Sequence, residues 1–487
     1  MRPEHDIAII GAGFGGIGMA LQLKRDGEES FVILEKAGRV GGTWRDNSYP
    51  GAACDVQSHL YWFSFEEQPD WSRLYPPQPE ILSQIERMVN RRGLAPHIRF
   101  HAEVIEARWD DAARFWRLLL ASGERITARV LISAWGQLNR PSFKGIEGVE
   151  DFAGEWFHSA RWRHDISLAG QRAAAIGNGP SAAQFIPEIA PVVQHLQVFQ
   201  RSPAYVVPRL DRAFSNEERQ LFMTEPERLF ANRKQFYDEH ETWYGAMRQN
   251  HPTAEEFKTI ARTQLETQIS DPVLREKLWP EYALGCKRIV ITDDFYPAFN
   301  RPNVELVTDR IERIEPKGVR TVDGTLHERD VIIYGTGFET LSFQGPVEVF
   351  GRGGRSLRDL WQGGPSAFLG MAIPGFPNLF YLYGPNTNLG HNSILLMMEC
   401  QFGYISRALG LIRERQAPGL EIRPEIHERF NRELQEVLAG SSWAASCASW
   451  YKTPDGRITN NWSGSVEDYK SATARFEPSD YEMLRAA

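Results

Sequence analysis

At about 150 residues per domain, a chain of 487 residues makes roughly three domains, or two with a large insertion. Apolar residues at 42% and charged residues at 24% are ordinary values that exclude a disordered or fibrous chain. The formal charge of −8 excludes the basic footprint needed to hold a nucleic acid.

The first predicted element is the buried parallel strand Ile7 to Ile10 in DIAIIG, followed by a glycine-rich turn and a helix over Ile17 to Lys24. The same pattern recurs in QRAAAIGNGPSAAQFIPEIA, with a strand over Ala173 to Ile176 and a helix from Ser181. FVILEK, VLISAWG and DVIIYGTGF are further strand-like runs, and together they imply parallel α/β layers in two Rossmann-like dinucleotide-binding domains. From about Phe214 to Gly285, charged and apolar residues interleave without strand signals, which predicts a helical insertion. The expected organisation is a first domain over 1–140 and 385–487, a second over 141–213 and 286–384, and the insertion over 214–285. HNSILLMMECQFGYISRALGLIRER is expected as a helix buried against the first domain.

Cys54, Cys286, Cys400 and Cys447 are too dispersed for a metal cluster and too few for a disulfide scaffold, so a reducing cytoplasm is expected. The polar-flanked run beginning at Asp6 leaves no room for an export signal, and no run of about 18 apolar residues follows that could span a membrane.

In Gly11-Ala12-Gly13-Phe14-Gly15-Gly16, the first glycine permits the tight turn, Gly13 lets backbone approach a pyrophosphate, and Gly16 allows close helix packing. Glu35 ends the next strand, where a carboxylate accepts hydrogen bonds from ribose hydroxyls. The second turn, Gly177-Asn178-Gly179-Pro180-Ser181-Ala182, is followed by a strand that ends in Arg201 instead of an acid. A guanidinium grips a 2′-phosphate that a carboxylate would repel. One acid-ended and one arginine-ended site point to FAD in the first and NADPH in the second, with hydride transfer between them.

The segment Gly41-Gly42-Thr43-Trp44-Arg45-Asp46-Asn47-Ser48-Tyr49-Pro50-Gly51-Ala52-Ala53-Cys54-Asp55 matches [A/G]GxWxxxx[F/Y]P[G/M]xxxD at every fixed position. Phe152 to Trp162 matches FxGxxxHxxxW, with Arg163 standing where Pro or Asp is usual. On these motifs the chain resembles the type I Baeyer–Villiger monooxygenases, and GCKRIVITDDFYPAFNRPNVELV, GTGF and SWY extend the resemblance over nearly its whole length. NWSGS and GPNTNLGHNS look most like the 4-hydroxyacetophenone-type branch. The resemblance implies that Arg288 is the active-site arginine, Asp55 its carboxylate partner, Lys287 a second contact to the NADPH phosphate, and Trp450 a contact to the nucleotide ribose. The expected cofactor-binding set is Gly11, Gly13, Phe14, Gly15, Glu35, Gly42, Thr43, Trp44, Asp55, Val56, Tyr61, Val104, Gly177, Asn178, Gly179, Pro180, Ser181, Gln200, Arg201, Ser202, Lys287, Arg288 and Trp450.

The chemistry asks for the same residues. Insertion of oxygen beside a ketone needs a flavin C4a-peroxide that attacks as an anion, so a cation must stand beside it. Arginine, with a pKa above about 12, stays charged and offers fixed donors to the developing oxyanion. The substrates are then a small ketone and O2, and the products an ester or lactone and water. A rival reading is a flavin monooxygenase that oxidises sulfides or amines and needs no such arginine; another is a non-catalytic NADPH sensor. His158 and Trp162 read as linker residues coupling the domains. Leu60 to Phe63, His391, Asn392 and Trp443 fit either pocket lining or core, and Cys54 has no partner cysteine for disulfide chemistry.

Overall fold

The computed structural model describes residues 2–447 and 449–485. The N-terminal apolar run forms the strand His5–Ile10, whose last four residues are buried because strands flank it on both sides. It runs parallel to Phe31–Leu34, with Ile7 opposite Phe31, and parallel to Arg125–Ser133, with Ile7 opposite Val130. The helix Phe14–Arg25 makes the crossover. Its glycines set how closely it packs: a Cβ at Gly16 would lie 1.9 Å from the Gly11 carbonyl oxygen, and one at Gly18 would lie 2.5 Å from ring atoms of Phe63 and Phe402. Phe402 belongs to the helix Ile394–Glu414, which packs on the first helix and joins the same core.

The first sheet has the order Glu348–Phe350, Val104–Asp110, Phe115–Leu120, Arg125–Ser133, His5–Ile10, Phe31–Leu34, Ile98–Arg99, and Leu379–Tyr381 also pairs with Arg125–Ser133. Val104–Asp110, Phe115–Leu120 and Arg125–Ser133 are antiparallel neighbours, so this sheet is mixed where an all-parallel layer is expected. The second sheet, Val304–Val307, His195–Phe199, Arg172–Ile176, Val331–Tyr334, Glu155–His158, is parallel throughout. Ala173, Ala174 and Ala175 are fully buried in its central strand, and their small side chains admit the helix Pro180–Ile189. Between Asn216 and Leu278 every named element is helical, and three of the helices open on Pro226, Pro252 and Pro272, where the missing N–H would be unpaired in any case.

Three further expectations need correction. The strands Glu348–Phe350 and Leu379–Tyr381 lie in the first sheet, although 286–384 is assigned to the second domain from sequence; both are three residues long and carry no glycine turn to announce the return. His158 is not in a linker but in the edge strand of the second sheet, opposite Tyr334. Trp162, which follows it, packs on Tyr49, Phe157 and Phe185. Finally, Cys286 and Cys447 form a disulfide between residues 161 apart in sequence, with Cα atoms 6.4 Å apart. Cys54 and Cys400 are free thiols. The pairing removes the basis for reading a reducing compartment from the cysteine count. Among the described residues no helix is long and apolar enough to cross a membrane.

Candidate active site

The first glycine turn opens onto a crevice of about 220 Å³ lined by Gly11, Gly13, Phe14, Gly15, Glu35, Gly42, Thr43, Trp44, Tyr61 and Val104. Two backbone segments face each other across it: a Cβ on Gly42, whose φ is +53°, would come within 3.1 Å of the Gly13 Cα. A side chain at Gly42 would block this close approach, which leaves the N-terminus of the helix Phe14–Arg25 bare toward the crevice, the place a pyrophosphate takes. Further in, the Phe14 ring meets Tyr61 edge-on at 5.5 Å, and the Trp44 indole N–H donates to the Tyr61 hydroxyl at 3.1 Å. Tyr383 and Met398 complete an apolar inner end suited to a flat ring system. The residues present therefore fit a flavin dinucleotide.

Glu35 is buried, and its carboxylate already accepts from the Ala12 N–H at 2.8 Å, the Ala37 N–H at 2.9 Å and the Arg45 guanidinium at 2.9 Å. It thus fixes the turn as well as facing the ribose position. Arg45 also binds Asp46, and its signal in the sequence was a cation inside the GGTWRD run.

The second turn is built the same way. A Cβ on Gly177 would strike the Gly335 carbonyl oxygen at 2.4 Å, whereas Gly179 has open space before it at the start of the helix Pro180–Ile189, with Pro180 and Ser181 in the first turn. Asn178 donates to the Gln200 side chain at 2.8 Å and to the Ser202 carbonyl at 3.0 Å. Gln200, Arg201 and Ser202 line a cleft of about 650 Å³ together with Lys277, Tyr282, Ala445, Ser446 and the acids Glu276 and Glu281. Lys287 donates to the Ser202 hydroxyl at 2.6 Å and lies 4.6 Å from the centre of the Tyr282 ring. Burial and the nearby Arg201 cation both push the Lys287 ammonium below its ordinary pKa. The Arg201 and Lys287 cations repel each other, and a phosphate placed on both relieves that repulsion, so the residues fit a phosphorylated nucleotide.

Near Tyr383 of the first crevice, Arg288 Nη2 donates to Asp55 Oδ2 in an ion pair spanning 233 residues of sequence. Asp55 raises the Arg288 pKa further, against burial, and the guanidinium is permanently charged. Burial raises the Asp55 carboxyl, but Arg288 outweighs it and holds the group below the carboxylate range. The pair is reached through the motif Tyr49 to Asp55, which docks on the second domain: Tyr49 donates to Gln184 at 3.0 Å, and Gln184 donates back to the Ala53 carbonyl at 3.0 Å.

Two tyrosines that the sequence reading does not single out face Arg288. Burial raises the Tyr451 phenol to about 12 while Arg288 pulls it down, and the Tyr383 phenol is raised and opposed in the same way. Tyr383 adopts φ +55°, a region bulky residues seldom occupy, at a cost of about 1–2 kcal/mol. Its N–H to Gln401 at 3.0 Å and its hydroxyl to Asn388 at 2.7 Å hold it there. Below Asp55, the buried His240 donates from Nδ1 to the His391 carbonyl at 2.6 Å, and its other nitrogen meets the Gln57 amide at 2.5 Å. Only the folded chain brings these residues together.

Other expected residues lie elsewhere. Asp55 and Val56 do not line the first crevice, Val56 is buried, and Trp450 does not line the second cleft. Trp450 is held through its backbone carbonyl by Asn460 at 2.7 Å and Thr340 at 3.3 Å, beside Tyr451. Leu60, Trp62, Phe63 and Trp443 are core residues, and the buried His391 pairs with Glu241 at 3.3 Å. Burial pushes the Cys54 thiol well above its ordinary pKa, which removes it as a nucleophile. Arg163 forms exposed ion pairs with Asp165 and Glu155, consistent with a position outside the site.

Residues 9–76 match the family of NAD(P)-binding Rossmann-like domains. A Baeyer–Villiger monooxygenase of Streptomyces coelicolor is 42% identical, covering 99% of this chain and 94% of its own length. One of Pseudomonas aeruginosa is 40% identical, over 98% and 91%. Among solved structures, cyclohexanone monooxygenase from Rhodococcus sp. Phi1 bound to NADP+ superimposes with a TM-score of 0.90 at 29% identity over 100% of both chains. The protein OTEMO in complex with FAD and NADP gives 0.89 at 26%, over 99% of this chain and 100% of that one. On its two glycine turns, its Asp55–Arg288 pair and relatives of 40% identity or more along nearly its full length, this chain belongs to the Baeyer–Villiger monooxygenases.

Proposed function

We propose that the first crevice holds FAD, that the second cleft holds NADPH, and that Arg288, oriented by Asp55, stabilises negative charge on oxygen while a ketone carbonyl is attacked. The protein is a flavin monooxygenase that inserts one oxygen atom of O2 beside a ketone carbonyl, giving an ester or lactone and water. When bound, the two nucleotides supply hydride transfer and oxygen activation.

The chain's own residues do the rest. Gly11, Gly13 and Gly42 seat the flavin pyrophosphate, and Phe14, Trp44 and Tyr61 wall its ring. Asn178 fixes Gln200 and the backbone at Ser202, so that Arg201 and Lys287 converge on the 2′-phosphate. Asp55 compensates the charge of Arg288 and keeps one guanidinium edge bound, leaving the remaining donors for substrate oxygen. Tyr383 and Tyr451 stay protonated at neutral pH and supply hydroxyls on that side.

The observation that carries this reading is the Asp55–Arg288 pair, whose guanidinium stands near Tyr383 of the first crevice. We also place the chain in the 4-hydroxyacetophenone-type branch. In support, the two segments that carry that likeness interlock: Asn388 donates to the Asn461 side chain at 2.8 Å, and Asn386 donates to the Asn461 carbonyl at 2.9 Å. The test is a screen of cyclic, linear and aryl ketones with NADPH, identifying products. Ester or lactone formation supports the assignment. Sulfoxide or N-oxide formation with no ester from any ketone would replace it by the sulfide and amine reading.

A further inference from the structure

Cys286 immediately precedes Lys287 and Arg288, and Cys447 lies four residues before Tyr451. The bond between them therefore ties Cys447, with its neighbours Ala445 and Ser446, to the strip that carries two of the site's cations. Two independent observations put residues on either side of Cys447 at the site. Ala445 and Ser446 form one wall of the cleft that contains Arg201 and Ser202. Tyr451, at the other end, faces the Arg288 guanidinium. The two ends of the segment are held differently: Tyr451 is buried and Trp450 is anchored through its carbonyl by Asn460 and Thr340, whereas the Ala445 carbonyl at the cleft end accepts from Lys452 of the same segment at 2.6 Å and touches Cys286 Sγ at 3.7 Å as part of the cross-link itself. Cys286 is fully buried and Cys447 half-buried, so reagents reach the bond from the side of the segment.

We propose that the Cys286–Cys447 disulfide is a positioning cross-link of the nucleotide site, which pins Ala445 and Ser446 as the wall of the NADP cleft; its reduction loosens nucleotide binding. The inference rests on the assignment of that cleft to NADPH. Opening is a two-electron exchange: a dithiol reductant gives up two electrons and two protons, the S–S bond breaks to two thiols, and the reductant closes to its own disulfide. Closing runs with a peroxide as oxidant, in which the two thiols lose two electrons and two protons and hydrogen peroxide becomes two waters.

The experiment uses the FAD-loaded full-length enzyme. Non-reducing peptide mapping after hydrogen peroxide treatment reads the bond, and equilibrium dialysis of NADP+ reads the clamp without turnover. A peptide linking Cys286 to Cys447 is expected, and reduction by dithiothreitol should weaken NADP+ binding about tenfold with FAD content unchanged, a coupling of ordinary allosteric size. Cys447→Ser should match the reduced enzyme and fail to recover on peroxide treatment, whereas the wild type recovers. A cross-link that serves stability alone would lower the melting temperature and leave the NADP+ dissociation constant unmoved, and that result overturns the proposal. So does the absence of a linked peptide after oxidation. Reduced wild type carries the test if Cys447→Ser does not fold. An oxidised wild type that binds no NADP+ at all would refute the NADPH assignment of the cleft instead, a distinguishable outcome.

Discussion

Replacing Arg288 by alanine separates the chemistry from everything that precedes it. The Arg288 and Asp55 side chains keep 32% and 22% of their surface accessible, so the pair is neither free in water nor sealed from it. Removing one partner of a sealed pair costs about 3–5 kcal/mol, and partial exposure lowers the expected loss of stability to about 2 kcal/mol. The effect on turnover is separate: losing a donor aimed at a developing oxyanion costs about 3 kcal/mol or more, a hundredfold to a thousandfold in kcat. Arg288→Lys keeps the charge but not the planar fork, and should fall between alanine and wild type. The assay has two readouts on one preparation: anaerobic bleaching of the flavin by NADPH, and ester or lactone formed from ketone in air. Bleaching within a fewfold of wild type together with loss of ester is expected. Wild-type ester formation by Arg288→Ala would refute the role given to the guanidinium.

Arg201→Ala removes a charged contact worth about 1.5–3 kcal/mol, so the KM for NADPH should rise about tenfold to a hundredfold while that for NADH moves little; steady-state kinetics with both nucleotides decides, and equal losses would count against a phosphate contact. Burial lowers the His240 pKa from 6.5 to about 4, so the unfolded chain binds the extra proton first as pH falls. The stability it contributes is present above pH 6.5 and lost between 6.5 and about 4, up to about 3 kcal/mol, and His240→Gln should flatten that acid limb in denaturant titrations. Gly18→Ala drives a methyl into Phe63 and Phe402, which should cost about 1–3 kcal/mol and lower the melting temperature measured calorimetrically, whereas no change would mean the helix packing is looser than described.

What was legible in the sequence follows from how local each feature is. The glycine turns at Gly11 and Gly177 could be read because tight turn, phosphate approach and helix start all fall within six residues. Asp55 and Arg288 lie 233 residues apart, and only the motifs around each marked them. Tyr383, Tyr451 and His240 come from three distant segments that meet only in the folded chain, so no spacing in the sequence points to them. The three-residue strands Glu348–Phe350 and Leu379–Tyr381 are too short to show a period, and tertiary pairing places them in the first sheet. The Cys286–Cys447 bond escaped the cysteine count because 161 residues separate its ends.

Oxygen bookkeeping with labelled gas tests the whole account most directly. Turnover of a ketone with NADPH under ¹⁸O₂, followed by mass spectrometry of the product, should place one labelled atom in the ester or lactone for each NADPH consumed. Recovery of every ketone unchanged, with all the labelled oxygen returned as hydrogen peroxide, would contradict it.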